Sequence, residues 1–372
     1  MRVFTVLGPS GSGKSTLVQA LAELDARRGK TLTVPGVASV SSFGFMGQDW
    51  AAIDMAGGAE NLGSAGPALA ASDVAVICVP ADADSAVLAA PFLRKVEEAG
   101  CPSILFINRI DSAQSRIAEI VSALQTYSRH HIVLREVPIR EGNSIVGFVD
   151  LVSERAWKFQ DGRHSVLIER PDSVKDREEQ ARAELLESYA DFDEHLLDEL
   201  IEDKEPPVAE VYDIASRTVQ HNDLVPCFFG SASKGHGITR LMKSLRHDAP
   251  AVEAAQRRLA SKATAVGALA DVIRHLGKVV LVRAMQGAVA GGGRLGGADL
   301  GSITDLDAKT VLGALAPGQI GLAVKSDHLS AGQELLPDAT HPLPDWGRVQ
   351  AVPYRRIIAA VHQKEGRRLQ AA

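Results

Sequence analysis

The chain has 372 residues, 45% of them hydrophobic and 23% charged, with a formal net charge of -6. That length predicts two or three domains, and the mildly acidic balance gives no general draw toward DNA or an anionic membrane surface. No apolar run reaches the length of a bilayer span, and the N-terminus enters a strand at once, with no room for a signal peptide. The expected compartment is therefore cytoplasmic, and Cys78, Cys101 and Cys227, which lack paired spacing, read as buried small hydrophobes.

In chain order, "MRVFTVL" predicts a buried strand and "STLVQALAELDARR" an amphipathic helix. Between them lies "GPSGSGKST", residues 8–16, which places Gly8, Gly13, Lys14 and Ser15 at the fixed positions of a P-loop. Small residues let the backbone N–H groups of this loop, Ser10, Gly11, Ser12 and Thr16 included, curl around phosphates at a helix N-terminus. The Lys14 ammonium can reach the β and γ oxygens, and the Ser15 hydroxyl can ligate Mg²⁺.

"WAAID", "DVAVICVP" and "PSILFIN" predict further strands, with "SAVLAAPFLRKVEEAG" and "SRIAEIVSALQTYS" as helices between them. Strands alternating with helices imply a mainly parallel sheet covered on both faces. The rhythm changes at about 138. Short strands ("SIVGFVDLV", "RAWKF", "HSVLIE") lead into the charged helix "KDREEQARAELLESYADF" and two more helices. "LVPCFFGSAS" returns to a core strand, so residues of about 140–222 form an α+β insertion in a nucleotide-binding domain spanning 1–250. From about Thr264 the chain alternates like a β-domain through "KVVLVRAMQG", "DLGSITDL" and "GQIGLAVKS", with "AGGGRLGG" as a turn.

Three segments choose the base. "IDMAGG" sets Asp54 at a strand end, where it can hold a Mg²⁺ water, with Gly57 placed to meet the γ-phosphate. "FINRID" supplies Asn108, Arg109 and Asp111; a carboxylate there accepts from both N1–H and the exocyclic amine of guanine, a pair that adenine lacks. "FFGSAS" brings Ser231, Ala232 and Ser233, whose backbone N–H groups suit guanine O6. All three sit at strand C-terminal edges, where open α/β sheets bind ligands. Together they predict GTP and GDP with Mg²⁺, and they argue against a P-loop kinase acting on a small acceptor.

In that order, "GPSGSGKSTL…IDMAGG…FINRID…FFGSAS" resembles the GTPase domain of the translational GTPases. The resemblance implies a β-barrel second domain over 264–337. It also implies a linker with the start of a truncated third domain over 338–372, where "YRRIIAAVHQKEGRRLQAA" stands. It implies action on the ribosome in a nucleotide-dependent way, through loops at 30–53 and 54–66. The departures are informative. The family shows Asp-Thr-Pro-Gly-His where this chain has Asp54-Met55-Ala56-Gly57-Gly58, so the histidine that positions the attacking water is replaced by Gly58. Asn-Lys-x-Asp becomes Asn108-Arg109-Ile110-Asp111, a change that an arginine stem and planar head tolerate. The segment from Thr16 to Asp54 is shorter than usual and lacks Arg-Gly-x-Thr, leaving Thr31 and Thr33 as candidate substitutes. The expectation is GTP binding with weak hydrolysis and no assigned catalytic residue; the alternative is a regulatory GTP-binding module with little or no hydrolysis and no direct role in translocation. His130-His131 is expected at an exposed strand edge, and "DFDEH" (191–195) as a solvated face or helix cap.

Overall fold

Successive residues of a strand point to opposite sides, and the central strands of the first sheet bury both faces. In β1 (Arg2–Leu7), Val3 and Leu7 join the core on one side while Phe4 and Val6 join that on the other. The computed structural model describes residues 1–25 and 27–349, with backbone geometry also for 357–358 and 370–371. The sheet continues with β2 (Arg28–Val34), β3 (Ala38–Phe45), β4 (Gln48–Met55), β5 (Val74–Pro80), β6 (Ser103–Asn108) and β7 (His131–Leu134).

The insertion supplies a separate antiparallel meander: β8 (Glu136–Glu141), β9 (Ser144–Asp150), β10 (Ala156–Gln160) and β11 (Arg163–Ile168). Its helices, Lys175–Ala190, Glu194–Ile201 and Val208–His221, close a small core around Val149, Leu185 and Ile214. β12 (Leu224–Phe229) then returns to the first sheet and pairs in parallel with β6 and β7. The order is β2-β3-β4-β1-β5-β6-β12-β7. From β4 onward every pairing is parallel, as the alternation of strands and helices predicts.

Two local expectations need correction. The segment 30–53, expected as a loop, is the antiparallel edge β2–β3–β4. Alternating burial of Leu32 and Val34, and of Ala38 and Val40, pins it to the sheet. The single helix expected over 85–100 tightens into a 3-10 turn at Val87–Ala89, just before Pro91 in the first turn of the helix Ala90–Glu98, where proline lacks the donor that a continuous α-helix needs.

The second half is antiparallel. β13 (Ala265–Ile273) and β14 (Gly277–Ala284) anchor a seven-stranded sheet with Ser302–Thr304, Val311–Leu312, Ile320–Val324, Gln333–Leu335 and Thr340–Pro342. The Gly-rich stretch expected as a plain turn carries the two-residue strand Arg294–Leu295, paired with Ala298–Asp299. Arg283 of β14 reaches into the first sheet, where its Nη2 lies 2.8 Å from both carboxylate oxygens of Asp73, with both side chains fully buried. Asp73 also accepts from Val3 N at 2.8 Å, so this pair fixes one sheet against the other. Most of the segment 354–372, expected to open a third domain, lies outside the described residues; only the backbone of the pair Ile357–Ile358 and Gln370–Ala371 is described there.

Candidate nucleotide site

The C-terminal ends of β1, β4, β6 and β12 bring the motifs to one edge. After β1 the chain turns through Gly8 and Gly13 into the helix Lys14–Ala22. Gly13 has a φ of 90°, and a Cβ there would lie 2.4 Å from Asn108 Nδ2. Gly8 sits so close to β5 that its Cβ would lie 2.1 Å from the Cys78 carbonyl oxygen. Only glycine fits either position.

Ser10, Gly11, Gly13, Lys14, Ser15, Thr16, Asp54, Gly57 and Arg109 share a cavity of about 470 Å³. Lys14 Nζ donates to the Gly8 and Pro9 carbonyls, each at 3.1 Å, so the ammonium is held at the loop it would serve. Burial lowers its pKa, and the Asp54 charge opposes that shift. Ser15 Oγ donates to Asp54 Oδ2 at 2.5 Å. Burial raises the Asp54 pKa against that bond and against Lys14. Asp54 Oδ1 is buried with no hydrogen-bond partner. A hydroxyl and a carboxylate with a spare oxygen form a donor set that fits a hard divalent cation.

Gly57 packs onto the loop: a Cβ there would lie 2.7 Å from Lys14 Nζ and 2.8 Å from Ser10 N. Gly58 follows without a side chain, and Asn61 Nδ2 is spent on the Gly57 carbonyl at 2.8 Å. Thr33 lines this cavity, whereas Thr31 lines a neighbouring one of about 370 Å³ behind Ser15.

Asn108 joins the phosphate end to the base end. Its Nδ2 donates to Ser12 O, and its Oδ1 accepts from Arg109 N and Ala232 N, all at 2.9 Å. Ser12 and Asn108 are both buried. Asp111 is exposed on the single turn Ile110–Ser112, outside the phosphate cavity, and Ser233 is exposed beyond β12. The backbone N–H groups expected to meet guanine O6 already have partners: Ala232 N donates to Asn108, and Ser231 N donates to the His236 carbonyl at 3.0 Å. A base reaching Ala232 N must share that hydrogen. His236 was missed in the motif reading, although the glycines on either side of it, Gly235 and Gly237 with φ of 76° and 75°, mark a tight turn.

Elsewhere, His131 is exposed at the start of edge strand β7. Asp193 caps the helix Glu194–Ile201 by accepting from Leu196 N at 2.9 Å. All three cysteines are free and buried. Among the described residues, no helix is long and apolar enough to cross a membrane.

A profile of the elongation factor Tu GTP-binding domain matches residues 22–251, with the phosphate loop just before that span. An elongation factor G-like protein of Synechocystis sp. is 28% identical over 400 aligned positions, covering 100% of this chain and 59% of that protein. An elongation factor G of Mycoplasma pneumoniae is 30% identical over 146 residues, covering 39% of this chain and 21% of the relative. A crystal structure from Thermus thermophilus superposes with a TM-score of 0.79 over 98% of this chain and 58% of that one. At 21% identity that likeness shows a shared fold. The chain thus spans less than two thirds of the longer proteins that it matches along its length.

Proposed function

The chain belongs to the elongation factor Tu GTP-binding domain family of translational GTPases, and on that premise we propose that it binds GTP and GDP with Mg²⁺ and engages the ribosome according to which it holds. The observation that carries the reading is the 2.5 Å Ser15–Asp54 contact beside Lys14, in a cradle that Asn108 ties to the base-reading loops. In this reading Ser15 and Asp54 would hold the cation, which would supply positive charge against the phosphates. Lys14 leaves the Gly8 and Pro9 carbonyls for phosphate oxygens. Asp111 reads the guanine N1–H and amine, Ser231 to Ser233 face O6, and Arg109 covers the base. The expected compartment is the cytoplasm.

Hydrolysis needs a water held in line with the γ-phosphate, and positioning carries most of the catalysis in this class. Gly58 offers no group for that task. Turnover by the isolated protein is therefore on the order of 10⁻⁴–10⁻³ s⁻¹ or below, which also suits a slow switch.

The test is titration with fluorescent GTP, GDP and ATP. Guanine nucleotides should bind well and ATP poorly. Asp111→Asn should cost about 1.5–3 kcal/mol of GTP affinity, the worth of a hydrogen bond to a charged group, and xanthine nucleotides should recover part of it. Equal affinity of the unmutated protein for ATP and GTP would overturn the assignment.

A further inference from the structure

The hairpin β10–β11 of the insertion closes on the loop 231–237, which follows β12 and carries Ser231 and Ala232. The His236 ring lies flat on Phe159, with centroids 4.6 Å apart and planes 3° from parallel. Its Nε2 is 2.8 Å from Asp161 Oδ1. A carboxylate only accepts, so Nε2 carries the hydrogen. Gly162 N donates to the Lys234 carbonyl at 3.0 Å, and His164 Nδ1 lies 3.1 Å from Thr239 Oγ1 on the next helix. The hairpin thus grips the loop through a ring stack, a side-chain hydrogen bond and a backbone hydrogen bond.

The loop has no slack with which to absorb a shift. Ser231 N and His236 N each donate to the other residue's carbonyl at 3.0 Å, and Ala232 N donates to Asn108. Gly230 lies so close to this turn that a Cβ on it would fall 2.1 Å from the His236 carbonyl oxygen. Phe159 is 8% exposed and His236 also 8%, whereas the Asp161 side chain is 74% exposed. Burial lowers the His236 pKa; Asp161 and, more weakly, Asp111 oppose that shift, while Lys234 adds to it. The Asp161 contact is screened by water, so the buried stack dominates the grip.

We propose that this clasp makes the insertion a regulator of guanine-nucleotide residence: Phe159, Asp161 and His236 are positioning residues that hold Ser231 and Ala232 at the base, so a partner that moves the insertion changes nucleotide release. The proposal rests on the guanine reading of the site. It separates two ends of one ligand, because the clasp touches the base loop and leaves the cradle of residues 8–16 alone.

The experiment measures release of N-methylanthraniloyl-GDP from the full chain in Mg²⁺ by stopped flow, together with calorimetric affinity for inorganic tripolyphosphate. Phe159→Leu should speed release about tenfold, and Phe159→Tyr, which keeps the ring, should stay within about twofold of the unmutated protein, a tenfold change being 1.4 kcal/mol. Asp161→Asn should have the smaller effect. Tripolyphosphate affinity should not change in any variant. Unaltered release from Phe159→Leu, in a protein that holds GDP, overturns the clasp alone. An equal loss of tripolyphosphate binding overturns it too, by showing general unfolding of the site. Failure of the unmutated protein to hold GDP overturns the guanine reading and the clasp with it.

Discussion

Replacing Asn108 by alanine breaks the joint between the phosphate cradle and the base loops. Three hydrogen bonds of 2.9 Å disappear together: Nδ2 to Ser12 O, and Oδ1 from Arg109 N and Ala232 N. Asn108 is 1% exposed, so water does not fill in at the Ser12 carbonyl or the Ala232 N–H. Each buried group left unpaired costs about 1–3 kcal/mol, which sets the loss for the two at about 2–6 kcal/mol. Arg109 is exposed, and its N–H finds water. Asn108→Asp keeps the acceptor but sets a buried carboxylate oxygen against the Ser12 carbonyl, so it should be at least as damaging as alanine. The assay is urea unfolding followed by circular dichroism, run beside a GDP titration, and GDP affinity should fall with stability. A shift of Asn108→Ala by less than about 0.5 kcal/mol, the ordinary range for surface substitutions, would show that the three loops are held by something else.

Arg283→Met should destabilise by about 3–5 kcal/mol, because it leaves the Asp73 carboxylate buried without its cation; a urea midpoint close to that of the unmutated protein would refute the coupling of the two sheets. Burial pushes the Glu136 carboxyl up from 4.5 to about 8, against the pull of Arg240, whose Nε is 3.6 Å away. The unfolded chain releases that proton first, so the stabilising share of Glu136 is complete below about pH 4 and is lost as pH rises through about 8. Stability measured from pH 5 to 8.5 should therefore fall, and Glu136→Gln should flatten the slope. Ser15→Ala should weaken GTP binding in Mg²⁺ far more than in EDTA, since its hydroxyl acts with Asp54 on the cation; the same loss in both buffers would give Ser15 a purely structural role.

Much of the fold was legible because its signals are local. β1, the loop 8–16 and the helix from Lys14 form one unbroken stretch, and a run such as "PSILFIN", too short for a helix between its turn signals, reads as a buried strand. With β12 in its place between β6 and β7, the return of a core strand at "LVPCFF" was legible too. The edge β2–β3 was not, because the resemblance put a nucleotide-sensing loop there. Period-2 burial in "TLTV" and in "ASV" at the start of β3 outweighed that expectation.

The two ends of the candidate site differ in how their partners are spaced along the chain, and that difference decided what could be read. At the phosphate end, Gly8, Lys14 and Ser15 meet within one turn and need one distant partner, Asp54, which a strand end delivers. A motif suffices there. At the base end, Asn108, Ala232, His236, Phe159 and Asp161 come from three separate segments, and none of their contacts follows from spacing. Sequence shows the residue types of the base reader but not that Ala232 N already has a partner, nor that the insertion stacks on the loop. In the proposed reading, the phosphate end would specify that a nucleotide binds, and the assembled base end would set how firmly it is held. Asn108, which contacts both, is where a single substitution should disturb the two together.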